Sequence, residues 1–217
     1  MRDMRIALCN GYEMKISENR KIRIADEAGR GAGCIVYDAI YWDQMQIKHK
    51  IRVRECYPAY IQLTRAATGE LVPSGNPEKF AKAKNRFTDA YKRNTDIRNT
   101  LGLTNSTVNA VDVISCNHTV YILLPMDEGI DYRYYEDQSL QELFRHMKSL
   151  AQIILKYHQK GYLHLDIKPE NVLILPETPE HVILFDFDSV TAIGELQKNA
   201  GIPYSDGFSA PEQMQGK

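Results

Sequence analysis

The stretch YLHLDIKPENVLI, residues 162–174, constrains this chain more than any other. Apolar Leu163, Leu165 and Ile167 alternate up to Pro169, and a second apolar run, Val172 to Leu175, follows at once. Such runs read as two short strands. Polar Asp166, Lys168 and Asn171 sit between them, where a plain core has no use for them. Fifteen residues after Asn171, the run HVILF delivers Asp186 at another strand end. A tight hairpin would bring these ends to one rim, gathering two carboxylates, a carboxamide and an ammonium. The oxygens of Asp186 and Asn171 suit Mg2+, which keeps waters and takes few protein ligands. A second carboxylate, Asp166, could then orient and deprotonate a hydroxyl. Lys168 would neutralise charge developing on a transferred phosphoryl group. Alone, each of the four would be an ordinary solvated side chain. Their joint spacing points to chemistry.

The rest of the chain frames that rim. Its 217 residues can bury a substantial core, as one domain or as one domain in two lobes. A composition of 43% hydrophobic and 25% charged residues argues against disorder and against a membrane protein. The net charge of -1 gives no global attraction to nucleic acid, so any anion site must be local. The best apolar run, VYILLPM, is far too short to span a membrane. The charged N-terminus has no signal-peptide core. Cys9, Cys34, Cys56 and Cys116 are scattered without a CxxC pair, which reads as reduced thiols in a cytoplasmic protein.

Period-2 patterning marks the first sixty residues as strands: KIRIADEAG, a Gly-rich turn, CIVYDAIYW and KIRVRECY. Residues 64–79 carry turn formers and read as an excursion. A charged helix then runs from Phe80 to Gly102, and residues 107–125 return to strand composition with a turn at Asn117 and His118. Ser139 and Glu142 make a capping box ahead of a second helix. Leu143, Met147, Leu150, Ile154 and Tyr157 recur on it at helical spacing, which predicts one buried face.

HLDIKPEN, then DFD at 186–188, then APE at 210–212 resemble the catalytic loop, metal-binding motif and activation-segment end of eukaryotic-type serine/threonine protein kinases. The resemblance covers essentially the whole chain, in the family's order. It implies an α+β, two-lobed fold: an antiparallel-sheet N-lobe with one main helix over residues 1–124, then a hinge and a mainly helical, incomplete C-lobe over 125–217. It implies Asp166 as catalytic base, Lys168 as a phosphate contact, and Asn171 and Asp186 as magnesium ligands. His164 would brace the loop. In GRGAGCIVYDA, Gly29, Gly31 and Gly33 with Val36 would cover the phosphates of ATP, Cys34 taking the third glycine position beside Gly33. Leu124 and Met126 would lie at the adenine hinge. ATP and Mg2+ are the implied cofactors, and a protein carrying Ser or Thr the implied substrate.

Three departures qualify that picture. Arg54 stands where the family has its phosphate-gripping lysine, and a guanidinium is longer and fork-shaped. Arg52, on the same strand face, would crowd the adenine pocket; the lesser alternative is a pair of exposed charges on an edge strand. Asp188 replaces a glycine of the metal motif, and Leu165 replaces the arginine that usually pairs with a phosphorylated activation segment. No Glu lies between Phe80 and Gly102, which leaves Asp96, or less well Asp89, as the acid that would partner Arg54, and either could equally be a solvated helix charge. These departures keep a second reading open, a pseudokinase acting as a nucleotide-binding or docking module. A small-molecule kinase is a third, disfavoured by Lys168 and GFSAPEQ. In the family further helices follow the APE motif, so the resemblance also implies apolar surface covered by self-association or a partner.

Overall fold

The computed structural model describes residues 3–101, 112–126, 129–135, 138–175, 181–198 and 204–215. The chain divides into two compact units, Met1–Asp89 with Asn109–Met126, and Ala90–Val108 with Asp127–Lys217. The later part of the long helix, from Ala90 on, goes with the second unit.

In the first unit, strands β1 (Glu13–Ser17), β2 (Arg20–Arg30), β3 (Cys34–Trp42), β4 (Lys48–Cys56), β7 (Asp112–Cys116) and β8 (Thr119–Pro125) form one antiparallel sheet in the order β1-β2-β3-β4-β8-β7. Alternation sorts its two faces. Ile35, Tyr37, Ala39 and Tyr41 of β3 are buried on one face with Ile51 and Val53 of β4. The other face carries Cys34, Val36 and Asp38 of β3, directly opposite Cys56, Arg54 and Arg52 of β4. Because β4 lies between β3 and β8, the edge-strand reading of the two arginines is wrong.

Glu55 points into the core face and is fully buried. It accepts from the Tyr37 hydroxyl at 2.8 Å, the Tyr121 hydroxyl at 2.7 Å and Arg65 Nη2 at 2.5 Å. Burial, reinforced by the Glu55 charge, pushes both phenols up, so they stay protonated donors. Arg65 comes from the excursion, which folds as the hairpin β5 (Leu63–Arg65) and β6 (Leu71–Pro73). Gly69 in its turn has φ +104°, and a Cβ there would meet the Tyr12 hydroxyl at 2.2 Å, so only glycine fits. At the β7–β8 turn, Asn117 and His118 have φ of 51° and 59°, the left-handed pair of a type I′ hairpin.

Helix α1 runs Pro77–Leu101, three residues earlier than its pattern suggested. Pro77 stands at the first helical position, and the Asn76 side chain accepts from the Glu78 amide at 2.8 Å, which caps the start. Its buried stripe is Phe80, Ala83, Phe87, Ala90, Tyr91, Asn94 and Ile97.

The second unit contains β9 (Ile130–Asp131), α2 (Leu140–Gln159), β10 (Tyr162–Leu163), β11 (Val172–Ile174), β12 (Val182–Leu184), β13 (Thr191–Ala192) and α3 (Pro211–Met214). Helix α2 begins with the expected reciprocal capping box of Ser139 and Glu142. Its buried line is His146, Ile153 and Tyr157, whereas Met147 is 49% exposed. The helix is thus rotated by about one residue from the expected stripe, because His146 packs edge-on to Tyr132 and Tyr135. Ile153 and Tyr157 join Ile97, Val172, Ile174, Val182, Leu184, Phe187 and Val190 in one core. Each such aliphatic side chain contributes about 1.5–3 kcal/mol of burial. Among the described residues α2 is the one long complete helix of this unit, beside the end of α1, the short α3, short strands and 3-10 turns. The expected α+β character holds. No helix among the described residues is long and apolar enough to cross a membrane.

Candidate active site

The hairpin of β11 and β12, Val172 opposite Leu184, brings the two motif segments of the second unit together. The Phe185 amide donates to the Asn171 carbonyl at 3.0 Å, so Asp186 emerges beside Asn171. Asp166 is the centre of the loop that precedes β11. Lys168 Nζ donates to both its carboxylate oxygens, at 3.0 and 2.8 Å. Asn171 Nδ2 donates to Oδ2 at 2.9 Å and to the Asp166 carbonyl at 2.8 Å. The Ser205 hydroxyl donates to Oδ1 at 2.6 Å while accepting from Lys168 Nζ at 3.0 Å. Burial alone would raise the Asp166 pKa; the bonds from Lys168, Ser205 and Asn171 outweigh it and hold the carboxyl below its ordinary value. At neutral pH it is a carboxylate with a serine hydroxyl on it.

Backbone strain marks the same place. Leu165 has φ 65° and Asp186 φ 60°, a left-handed conformation that costs a branched side chain such as Leu most. Gln213 Nε2, from α3, donates to the Leu165 carbonyl at 2.6 Å and holds that turn. Underneath lies His164, buried at 3% exposure and edge-on to Tyr157 and Phe187. Burial pushes its pKa down to about 4, against the pull of the Asp186 and Asp166 carboxylates, so the ring is neutral packing rather than a proton carrier.

Asn171 spends both hydrogens of its amide on Asp166, which leaves the carboxamide oxygen as an acceptor. That oxygen and the Asp186 carboxylate are the hard donors Mg2+ takes. Among the described residues no three His, Cys, Asp or Glu side chains group as a cage that could hold a metal ion.

In the first unit, Val36 and Arg54 are direct cross-strand partners, and Leu124 pairs with Arg52 on the next strand. Arg54 is 7% exposed; its Nη2 lies 3.4 Å from Cys34 Sγ and its guanidinium 5.4 Å from the Phe87 ring centre. Arg52 turns outward to Asp38 at 3.1 Å. Gly29 pairs with Val36, and a Cβ on Gly29 would meet nothing within 4 Å. The fold itself therefore sets no steric demand for glycine there. The Gly31 amide closes the turn on the Cys34 carbonyl at 3.0 Å, and the Gly33 carbonyl accepts from Tyr57 at 3.1 Å. Met126, just past β8, is 36% exposed.

Asp96 is corrected. It is exposed, about half a turn around α1 from Phe87, and its carbonyl accepts from the Thr100 hydroxyl at 2.6 Å. Asp89 is exposed too. The polar group on the buried stripe is Asn94, which accepts from the Tyr157 hydroxyl. Asp188 sits exposed in the turn closed by Val190 on Phe187. Sequence reasoning also missed Ser205. It lies 39 residues from Asp166 in a stretch that reads as an ordinary turn, and only its place five residues before Ala210 could have drawn notice.

Comparisons with known proteins agree with this arrangement. Residues 76–217 match the protein kinase domain family. Citron rho-interacting kinase of Rattus norvegicus is 33% identical over 105 residues, 45% of this chain and 5% of that protein. Serine/threonine-protein kinase D of Synechocystis is 27% identical over 135 residues, 58% of this chain and 26% of that protein. The chain thus spans a small part of these relatives' length. A solved structure titled "PpkA-294 apo form" superposes with a TM-score of 0.71 at 22% identity, covering 96% of this chain and 71% of that one, a likeness of fold. With its loop, hairpin and motif order in place and well over half its length matched, the chain belongs to the protein kinase domain family.

Proposed function

We propose that the chain transfers the γ-phosphoryl group of ATP to serine or threonine hydroxyls of a protein substrate. One observation carries this reading: a serine hydroxyl already donates to Asp166 at 2.6 Å with the Lys168 ammonium on its oxygen. A substrate hydroxyl in the same relation would give its proton to the Asp166 carboxylate as its oxygen bonds to phosphorus. Lys168 would offset charge on the transferred group. Asn171 and Asp186 would hold Mg2+, which the family typically uses with ATP and which supplies charge neutralisation at the phosphates. Gly29, Gly31, Gly33 and Val36 would cover the phosphates, Arg54 would donate to them, and Leu124 and Met126 would meet the adenine.

A second reading, a pseudokinase that binds nucleotide without efficient transfer, is favoured by Arg54 in the lysine position and by Asp188 in the metal motif. Incubation of the purified chain with γ-labelled ATP, Mg2+ and a generic protein substrate separates the two. Acid-stable label on serine or threonine supports the kinase. A Mg2+-dependent rise in melting temperature with ATP, abolished in Asp186→Asn, with no label transferred under any condition, supports the pseudokinase.

A further inference from the structure

The glycine-rich turn is held from outside by a segment the catalytic machinery does not use. Arg5 Nη2 donates to the Gly31 carbonyl at 2.9 Å, and Nη1 donates to the carbonyls of Cys34, at 3.2 Å, and Tyr57. The same guanidinium is clamped by Asp3, at 2.6 Å from Nη2, and its side chain is only 8% exposed. The segment is itself anchored. Arg30 donates to the Arg5 carbonyl at 2.8 Å, Arg65 to the Ile6 carbonyl at 2.7 Å, and the Leu8 amide to the Tyr37 hydroxyl at 3.1 Å. Leu8 is buried.

The neighbouring carbonyls are taken as well. Ala32 accepts from the Ala59 amide at 2.9 Å and Gly33 from the Tyr57 amide at 3.1 Å, so every carbonyl from Gly31 to Cys34 has a donor. In a trans peptide the C=O and the following N–H point in opposite directions. Fixing the Gly31 carbonyl on Arg5 therefore fixes the Ala32 amide facing away from it, and the Ala32 carbonyl does the same for Gly33. The amides of Ala32 and Gly33 donate to no group among the described residues. Consecutive amides held in one orientation make an anion-binding concavity.

We propose that Arg5 is a positioning residue: through the Gly31, Cys34 and Tyr57 carbonyls it presets the Ala32 and Gly33 amides for the phosphates of a nucleotide, with Asp3–Leu8 as the strap that carries it. This rests on the reading that the turn covers ATP. Because Arg30, Arg65 and Leu8 hold the strap independently, removing the guanidinium does not detach it. Lysine at position 5 keeps the charge but lacks the fork that reaches three carbonyls.

The test uses the full chain as wild type, Arg5→Ala and Arg5→Lys. Binding of Mg2+-ATP and of adenosine, which has no phosphate, is measured by calorimetry, and amide hydrogen exchange over residues 31–34 is followed without nucleotide. In Arg5→Ala, ATP affinity should fall about tenfold with adenosine affinity unchanged, and residues 31–34 should exchange faster; Arg5→Lys should fall between. Unchanged ATP affinity, or equal loss for ATP and adenosine, overturns the proposal. If the wild type binds no ATP, the nucleotide reading fails, and the exchange data alone decide whether Arg5 orders the turn: unchanged exchange overturns that too.

Discussion

Two polar clusters in this molecule use nearly the same parts. In the first unit a carboxylate, Glu55, meets a cation, Arg65, and the hydroxyls of Tyr37 and Tyr121. In the second a carboxylate, Asp166, meets a cation, Lys168, the hydroxyl of Ser205 and the amide of Asn171. What separates them is water and permanence. The Glu55 side chain is 0% exposed and Arg65 5%, whereas Asp166 and Lys168 keep 14% and 23%. Around Glu55 every donor is fixed in the sheet or its hairpin. Around Asp166 one donor, Ser205, belongs to a distant segment and could yield its place to another hydroxyl. The same groups make a lock when sealed and a candidate reaction centre when partly open.

The largest effect expected from this contrast is on stability. Glu55→Ala leaves Arg65 charged and buried without its partner, and breaking a buried pair costs about 3–5 kcal/mol. Denaturant unfolding should show that loss; a change under about 1 kcal/mol would mean that the cluster is no lock.

Next comes His164, beneath the open cluster. Its pKa is about 4 in the fold against 6.5 when unfolded. Between those values the unfolded chain binds more protons, so stability falls as pH drops from 6.5 to 4, by about 3 kcal/mol in all. His164→Gln should flatten that part of the pH profile. An identical slope in the variant would assign the loss to other groups.

Smaller is the effect at Arg54, a buried cation on the sheet face outside the Glu55 lock. Arg54→Ala should weaken ATP binding by about 1.5–3 kcal/mol, the worth of a charge-assisted contact, and Arg54→Lys should keep it. Equal ATP affinity in wild type and Arg54→Ala would leave the phosphates to other donors.

The contrast also explains what could be read from sequence. The Asp166 loop was legible because its residues lie close along the chain and interrupt an apolar pattern. The α2 capping box and the Asn117–His118 turn were legible for the same reason, being local devices. Glu55 was not, since one acid in a strand shows its partners only after the sheet pairs and the hairpin delivers Arg65. Ser205 and Arg5 share that difficulty: one acts across 39 residues, the other on main-chain carbonyls that any sequence would offer. The exposure of Asp96 follows from helix phase, which the buried stripe of α1 sets and a count from the next strand does not show.

The central claim is that Asp166 acts on a hydroxyl and not on the nucleotide. Turnover of labelled phosphate and ATP affinity, measured together in wild type and Asp166→Asn, test it most directly. Turnover should fall on the order of 10²-fold or more while ATP affinity barely changes. Equal loss of both, or turnover undiminished, would contradict it.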